Sequence, residues 1–153
     1  MLAVRDAQRP ARREHFEREG ERMAGFDRDV LDLAAREREV DLTTWGRRTG
    51  KPSRRTSWVW GDGERLYVRA GGGMGRDWPQ NLLARGRGVL HLASRDIPVR
   101  ARHVTDPTEA RQGADLIERK YGGAIQRSSG DEPLTPGEQA TFELLPDDPA
   151  HTG

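Results

Sequence analysis

From Val40 the chain reads with a period of two. In EVDLTTW, Val40, Leu42 and Thr44 alternate with Asp41, Thr43 and Trp45, the pattern of a strand with one buried face. TSWVW and RLYVRAG follow, separated by GDGE, where Asp62-Gly63 is a hairpin signal. GVLHLAS and IPVRARHV form a second pair, predicted to be joined at Arg95-Asp96. ATFELLP closes the series, with Phe142 and Leu144 facing one way. Connections this short dictate antiparallel pairing, because a parallel neighbour needs a crossover of about a dozen residues or more. Only 33% of the 153 residues are hydrophobic. Six antiparallel strands with so few apolar side chains bury them best by closing into a small barrel. The fold class is therefore α+β, mainly β.

Three helices are predicted around the strands. Phe16, Met23, Phe26, Val30, Leu33 and Ala34 share one face of a helix over Glu14–Glu37. DWPQNLLARG is a short helix, with Asp77 as its cap, Pro79 in its first turn and Gly86 or Gly88 at its end. TDPTEARQGADLIERKYGG is the third, with Asp106 as cap, Glu109 placed for a capping box and Gly122 as its stop. Residues 1–12 read as disordered, 13–146 as one domain and 147–153 as a mobile tail.

Several function classes are excluded. There is no cysteine, so thiol catalysis and Cys-based zinc sites fall away. The four histidines, His15, His91, His103 and His151, lack metal-ligand spacing, and His91 reads as a sheet-face residue. No apolar run approaches the roughly 20 residues of a membrane span. The start lacks a secretory apolar stretch, so a cytoplasmic location is expected. The net charge of +1 argues against a general nucleic-acid binder.

The charge is nevertheless unevenly placed. WGRRTGKPSRRTSW carries Arg47, Arg48, Lys51, Arg54 and Arg55 and no acid. Backbone amides at a Gly-containing turn, together with arginine forks, suit a phosphate or carboxylate. A solvated hairpin and a nucleic-acid patch are the other readings of the same feature. GGGMG (Gly71, Gly72, Gly73, Gly75) fits neither the P-loop nor the dinucleotide fingerprint. It can let a flat ring or phosphate approach the backbone, or it can be a flexible connector. Arg76 and the following helix start add capacity for anions. Trp58 and Trp60 share one strand face and read as core, whereas Trp78 reads as ligand-side. With no GxSxG and no nucleophile–base set, an enzyme of this kind would take its chemistry from a cofactor.

LTTWGRRTGKPSRRTSWVW, AGGGMGRDWPQNLLARG and VRARHVTDPTEA, in that order, resemble the deazaflavin (coenzyme F420)-dependent nitroreductase/quinone reductase family, over roughly residues 38–122. The resemblance implies an FMN-binding split β-barrel, with F420 as cofactor and FMN as the alternative. It implies hydride transfer to a small, electron-poor acceptor. A flavin- or anion-binding protein without turnover is the second reading. By motif, Arg47 and Arg48 would hold the cofactor's phosphate or acidic tail, and Thr49, Gly50 and Lys51 would complete that loop. Arg54, Arg55, Thr56 and Ser57 would line the ring from the next strand. Gly71, Gly72, Gly73, Arg76, Trp78 and Asn81 would flank its other side. On this reading Arg47 and Arg48 are dispensable for folding. The family's serine–lysine pair before the glycines stands here as Ala70-Gly71. The sparse core makes a homodimer a reasonable assembly.

Overall fold

The computed structural model describes residues 25–123 and 125–147. In chain order the elements are α1 (Arg28–Arg36), β1 (Val40–Trp45), β2 (Pro52–Gly61), β3 (Leu66–Arg69) and α2 (Asp77–Arg85). Then come β4 (Arg87–Leu92), β5 (Arg95–His103), α3 (Pro107–Tyr121), α4 (Pro136–Gln139) and β6 (Thr141–Pro146). The six strands close into an antiparallel barrel in the order β1-β2-β3-β6-β5-β4. The expected fold class and strand set are thus observed.

The period of two decides what lies inside. Val40, Leu42 and Thr44 of β1 point inward and are buried. They meet Val59, Val68, Leu90, Leu92, Val99, Phe142 and Leu144 from the other strands. One end of this core is closed by Val30 and Ala34 of α1, and Leu82 of α2 also packs into it. A second apolar layer lies outside the barrel. There α3 lays Ala110 and Ile117 against Trp60 and Tyr67, whose rings stack with centroids 5.7 Å apart.

Four local features differ from the sequence reading. Gly25, Phe26 and Asp27 are not helical, and α1 begins at Arg28, where the Asp27 carboxylate accepts a 3.0 Å bond from the Val30 amide. A glycine followed by a capping aspartate sets that start, so no single helix runs from Glu14 to Glu37; the part before residue 25 lies outside the described residues. The β4–β5 hairpin turns at Ala93-Ser94 rather than at Arg95-Asp96, since Leu92 pairs with Arg95 and Ala93 adopts φ 52°. Pairing of Asp96 with His91, whose ring it also bonds at 2.8 Å, draws that dipeptide into the strand. The Glu109 amide bonds the Asp106 cap, but the Glu109 side chain turns away to Tyr67 and Arg102, so no capping box forms there. The box occurs instead on the short α4, between Thr135 and Glu138.

Glu138 also braces the segment before α4. Its side chain is fully buried. One carboxylate oxygen accepts from the Ser128 hydroxyl at 2.6 Å and the Thr135 amide at 2.9 Å, and the other from the Ser128 amide at 3.0 Å. Burial works against its charge. The bonds from Ser128 and Thr135 and the nearby charge of Arg69 outweigh burial and hold the carboxyl below the usual range.

A second brace sits where β1 gives out. The β1–β2 register ends at Val40 opposite Ser57, so no β1 residue stands opposite Val59. The Val59 carbonyl accepts from Lys120 Nζ at 2.6 Å, and its amide donates to the Tyr121 hydroxyl at 3.3 Å. Lys120 reaches Ala34 of α1 as well, so it ties helix, strand and α3 together. Burial pushes its ammonium down to about 8.

Replacing Glu138 by alanine strands the Ser128 and Thr135 donors and leaves the Arg69 charge unbalanced. We expect a loss of about 3 kcal/mol in chemical denaturation. The Glu138 pKa is depressed from 4.5 in the folded state. Its contribution is therefore present above pH 4.5 and is lost as pH falls below it. Glu138→Gln should flatten that acid limb of the stability–pH curve.

Candidate functional site

Beside the barrel lies a cleft of about 470 Å³, within the size range of small-molecule sites. One side is Thr56, Ser57 and Trp58 of β2. The facing side runs from Arg69 and Ala70 through Gly71 and Gly72 to Arg76 and Trp78 at the start of α2. Ile117 of α3, Ile125, Gln126, Thr135 and Gly137 complete the lining. No acidic residue is among these side chains, and two are arginines. The cleft is thus aromatic and cationic.

Trp58 is 43% exposed and belongs to the cleft, a correction to its reading as core. The shared face with Trp60 is real, but α3 buries Trp60 and leaves Trp58 partly open. Beneath Trp58 that helix offers a ring instead, because Tyr121 stacks on it at 5.0 Å. Lys120 lies 4.9 Å and Arg38 5.3 Å from the Tyr121 centroid. The stack therefore has cations bound to its base.

The glycines have defined tasks. A Cβ on Gly72 would come within 2.8 Å of Arg76 Nε. Gly73 adopts φ 87°, and a Cβ there would meet Pro136 at 3.0 Å. The loop is held against α4 and Arg76 and is not a loose connector. Gly71 has nothing within 4 Å of its absent Cβ, so the backbone there faces open space in the cleft. Asp77 is not the cap of α2 but its first residue. Arg76 stands at the cap position and makes no side-chain capping bond. The amides of that first turn thus lack a side-chain acceptor from the cap, at the mouth of a cationic cleft.

Arg69 is buried beneath the cleft. Its Nε donates to the Thr141 hydroxyl at 2.9 Å and its Nη2 to the Ala110 carbonyl at 2.8 Å. Its guanidinium lies 5.2 Å from the Trp60 centroid. Burial lowers its pKa to about 10, with Glu138 opposing the shift, so the group stays charged at neutral pH.

The basic turn is placed elsewhere. The Arg47 amide and Nη1 both donate to Asn81 Oδ1 at 3.0 Å, and Nη1 is 3.6 Å from Asp77. Asn81 is buried by this contact. Arg85 bonds the Gly46 carbonyl at 2.8 Å, and Gly50 adopts φ 73°. Arg54 is paired with Asp41 at 2.8 Å, and Thr56 donates to the same carboxylate at 2.9 Å. Bonds from Arg54 and Thr56 hold Asp41 below its usual pKa. Arg48, Thr49, Lys51 and Arg55 are exposed.

Of the residues singled out from sequence, the cleft gathers Thr56, Ser57, Gly71, Gly72, Arg76 and Trp78. It does not include Arg47, Arg48, Thr49, Gly50, Lys51, Arg54, Arg55, Gly73 or Asn81. Sequence reasoning missed Trp58, Arg69, Gln126 and the 135–137 corner. The available signal for Arg69 was an arginine ending the otherwise apolar strand LYVR, all four of whose residues are buried.

No protein-family model and no curated protein matches the chain. Solved structures do resemble it. The heme storage protein HutZ of Vibrio cholerae superposes with a TM-score of 0.57 at 13% identity, over 81% of this chain and 92% of that one. A conserved hypothetical protein of Mycobacterium tuberculosis gives 0.56 at 17% identity, over 78% of each chain. An F420 reductase gives 0.50 at 16% identity, over 75% of this chain and 89% of that one. The neighbours include F420-dependent reductases and pyridoxamine-5'-phosphate-oxidase-like split barrels. At these identities the likeness shows the split-barrel fold.

The structure separates Arg47 from Arg48. Arg47→Ala removes a donor from buried Asn81 and should cost about 1 kcal/mol, read as a lowered thermal midpoint. Arg48→Ala, on the exposed turn, should stay within about 0.5 kcal/mol of the parent.

Proposed function

We propose that the chain is an oxidoreductase that holds a flavin-type cofactor, coenzyme F420 with FMN as the alternative, in the cleft beside β2 and the glycine loop. The observation that carries this reading is the lining itself: two tryptophans, two arginines, a glycine-walled face and no acid. A planar ring with an anionic substituent matches that chemistry. When bound, such a cofactor supplies a hydride to an electron-poor organic acceptor.

This chain's residues would do the rest. Trp58 and Trp78 would border the ring, and the open backbone at Gly71 would let it approach closely. Arg76 and the first-turn amides of α2 would face its anionic group. Arg69, fixed by Thr141 and Ala110, would keep a permanent positive charge beneath the site. Ser57 and Gln126 offer hydrogen bonds to a heteroatom edge. No side chain of the cleft lining is a general base, which suits a reaction in which the protein orients and the cofactor reacts. The basic turn is not part of this lining, and its Arg47 is engaged by Asn81.

Titration of the purified protein with F420 and with FMN, followed by tryptophan fluorescence, tests the reading. Micromolar binding with quenching is expected. Trp58→Ala should weaken it by about tenfold, the scale of one lost aromatic contact. If neither cofactor binds, the proposal fails. Binding without hydride transfer to quinones or nitroarenes would leave a cofactor-binding protein in place of an enzyme.

A further inference from the structure

A second cationic surface lies on the outside of the barrel, away from the cleft lining. In the β4–β5 register Arg87 stands directly opposite Arg100. Antiparallel partners project from the same face of the sheet, and like charges placed so destabilise it. Both side chains are exposed. The Arg87 guanidinium lies 5.3 Å from the Trp45 centroid, which places it beside the last residue of β1. The turn that follows Trp45 carries Arg48 and Lys51, both exposed. Three segments thus bring four cations to one rim: Arg48 and Lys51 of the β1–β2 turn, Arg87 of β4 and Arg100 of β5, with Arg85 clasping the turn through Gly46.

Among the described residues, the acids Asp41, Asp96 and Asp77 are engaged elsewhere. Asp41 is taken by Arg54 and Thr56, Asp96 by His91, and Asp77 lies against Arg47. Among the described residues the ion pairs involve none of Arg48, Lys51, Arg87 and Arg100. In a chain of net charge +1 this is a local excess and not a general basicity.

We propose that this rim is a second anion site, separate from the cleft, for a ligand carrying several linked phosphate groups. One arginine fork engages one phosphate. A ligand with several phosphates can bridge the opposed pair Arg87 and Arg100 and reach the turn cations, and its charge offsets the repulsion that the bare sheet carries. Trp45 limits where the Arg87 fork can point.

The test is calorimetric titration with inorganic tripolyphosphate at low ionic strength. The wild-type protein should bind one equivalent, with affinity falling as salt is added. Arg87→Gln with Arg100→Gln should weaken binding at least tenfold. Its thermal midpoint without ligand should be no lower than that of the wild type, because the opposed charges are gone. Arg100→Gln alone should show the same direction on both readouts. Trp58→Ala, a cleft variant, should bind tripolyphosphate as the wild type does. The proposal is overturned if the wild type does not bind, if the double variant binds equally well, or if Trp58→Ala abolishes binding.

Discussion

The buried guanidinium of Arg69 is the contact on which much of the molecule's outer half depends. It leaves β3, crosses to Thr141 at the start of β6, reaches the Ala110 carbonyl in the first turn of α3 and lies over Trp60. Space for it is made by glycines. A Cβ on Gly113 would meet its Nη2 at 2.6 Å, and one on Gly137 its Cδ at 3.1 Å. The sequence therefore keeps α3 and α4 bare where the arginine passes. A buried charge is tolerated only when its hydrogen bonds are met and an opposite charge is at hand. Glu138 supplies that charge, and its own oxygens fix Ser128 and Thr135. One electrostatic chain thus joins the barrel wall to the segment that closes the cleft.

The same chain explains the character of the cleft. Its floor carries a cation held by structural bonds, and its rim carries Arg76 at an uncapped helix start. Helix α2 links these features to the basic turn, because its first turn faces the cleft while Asn81 and Arg85, further along, grip Arg47 and Gly46. An arginine that looks free in the sequence is engaged internally, and the turn owes its shape to that engagement. Cations on one short stretch can therefore have opposite roles: Arg47 and Arg54 are engaged by Asn81 and Asp41, while Arg48, Lys51 and Arg55 are open to solvent.

The fold was legible because strand alternation, hairpin signals and helix stops are local. Val40, Leu42 and Thr44 faced inward as their spacing implied, and Gly86 and Gly122 ended their helices. What was not legible depended on distant partners. Glu109 has the spacing of a capping box, yet Tyr67 and Arg102 across the fold take its carboxylate. Trp58 and Trp60 share a face, and only the position of α3 decides which is covered. Arg47 and Arg48 are neighbours in sequence, and only the placement of Asn81 distinguishes them. The glycine loop was recognised as a site element, but Gly73 answers to Pro136, 63 residues further on.

Every strand of this barrel has a bonded neighbour on each side, since β1 pairs with β4 as well as with β2. Closure leaves few of the unpaired backbone rows by which sheet proteins recruit additional strands, and at Val59, beyond the end of β1, side chains of α3 take the backbone groups. Association between copies must then be written in side chains on the outer faces. Selection on those faces can alter assembly without disturbing the ring of backbone bonds that defines the fold.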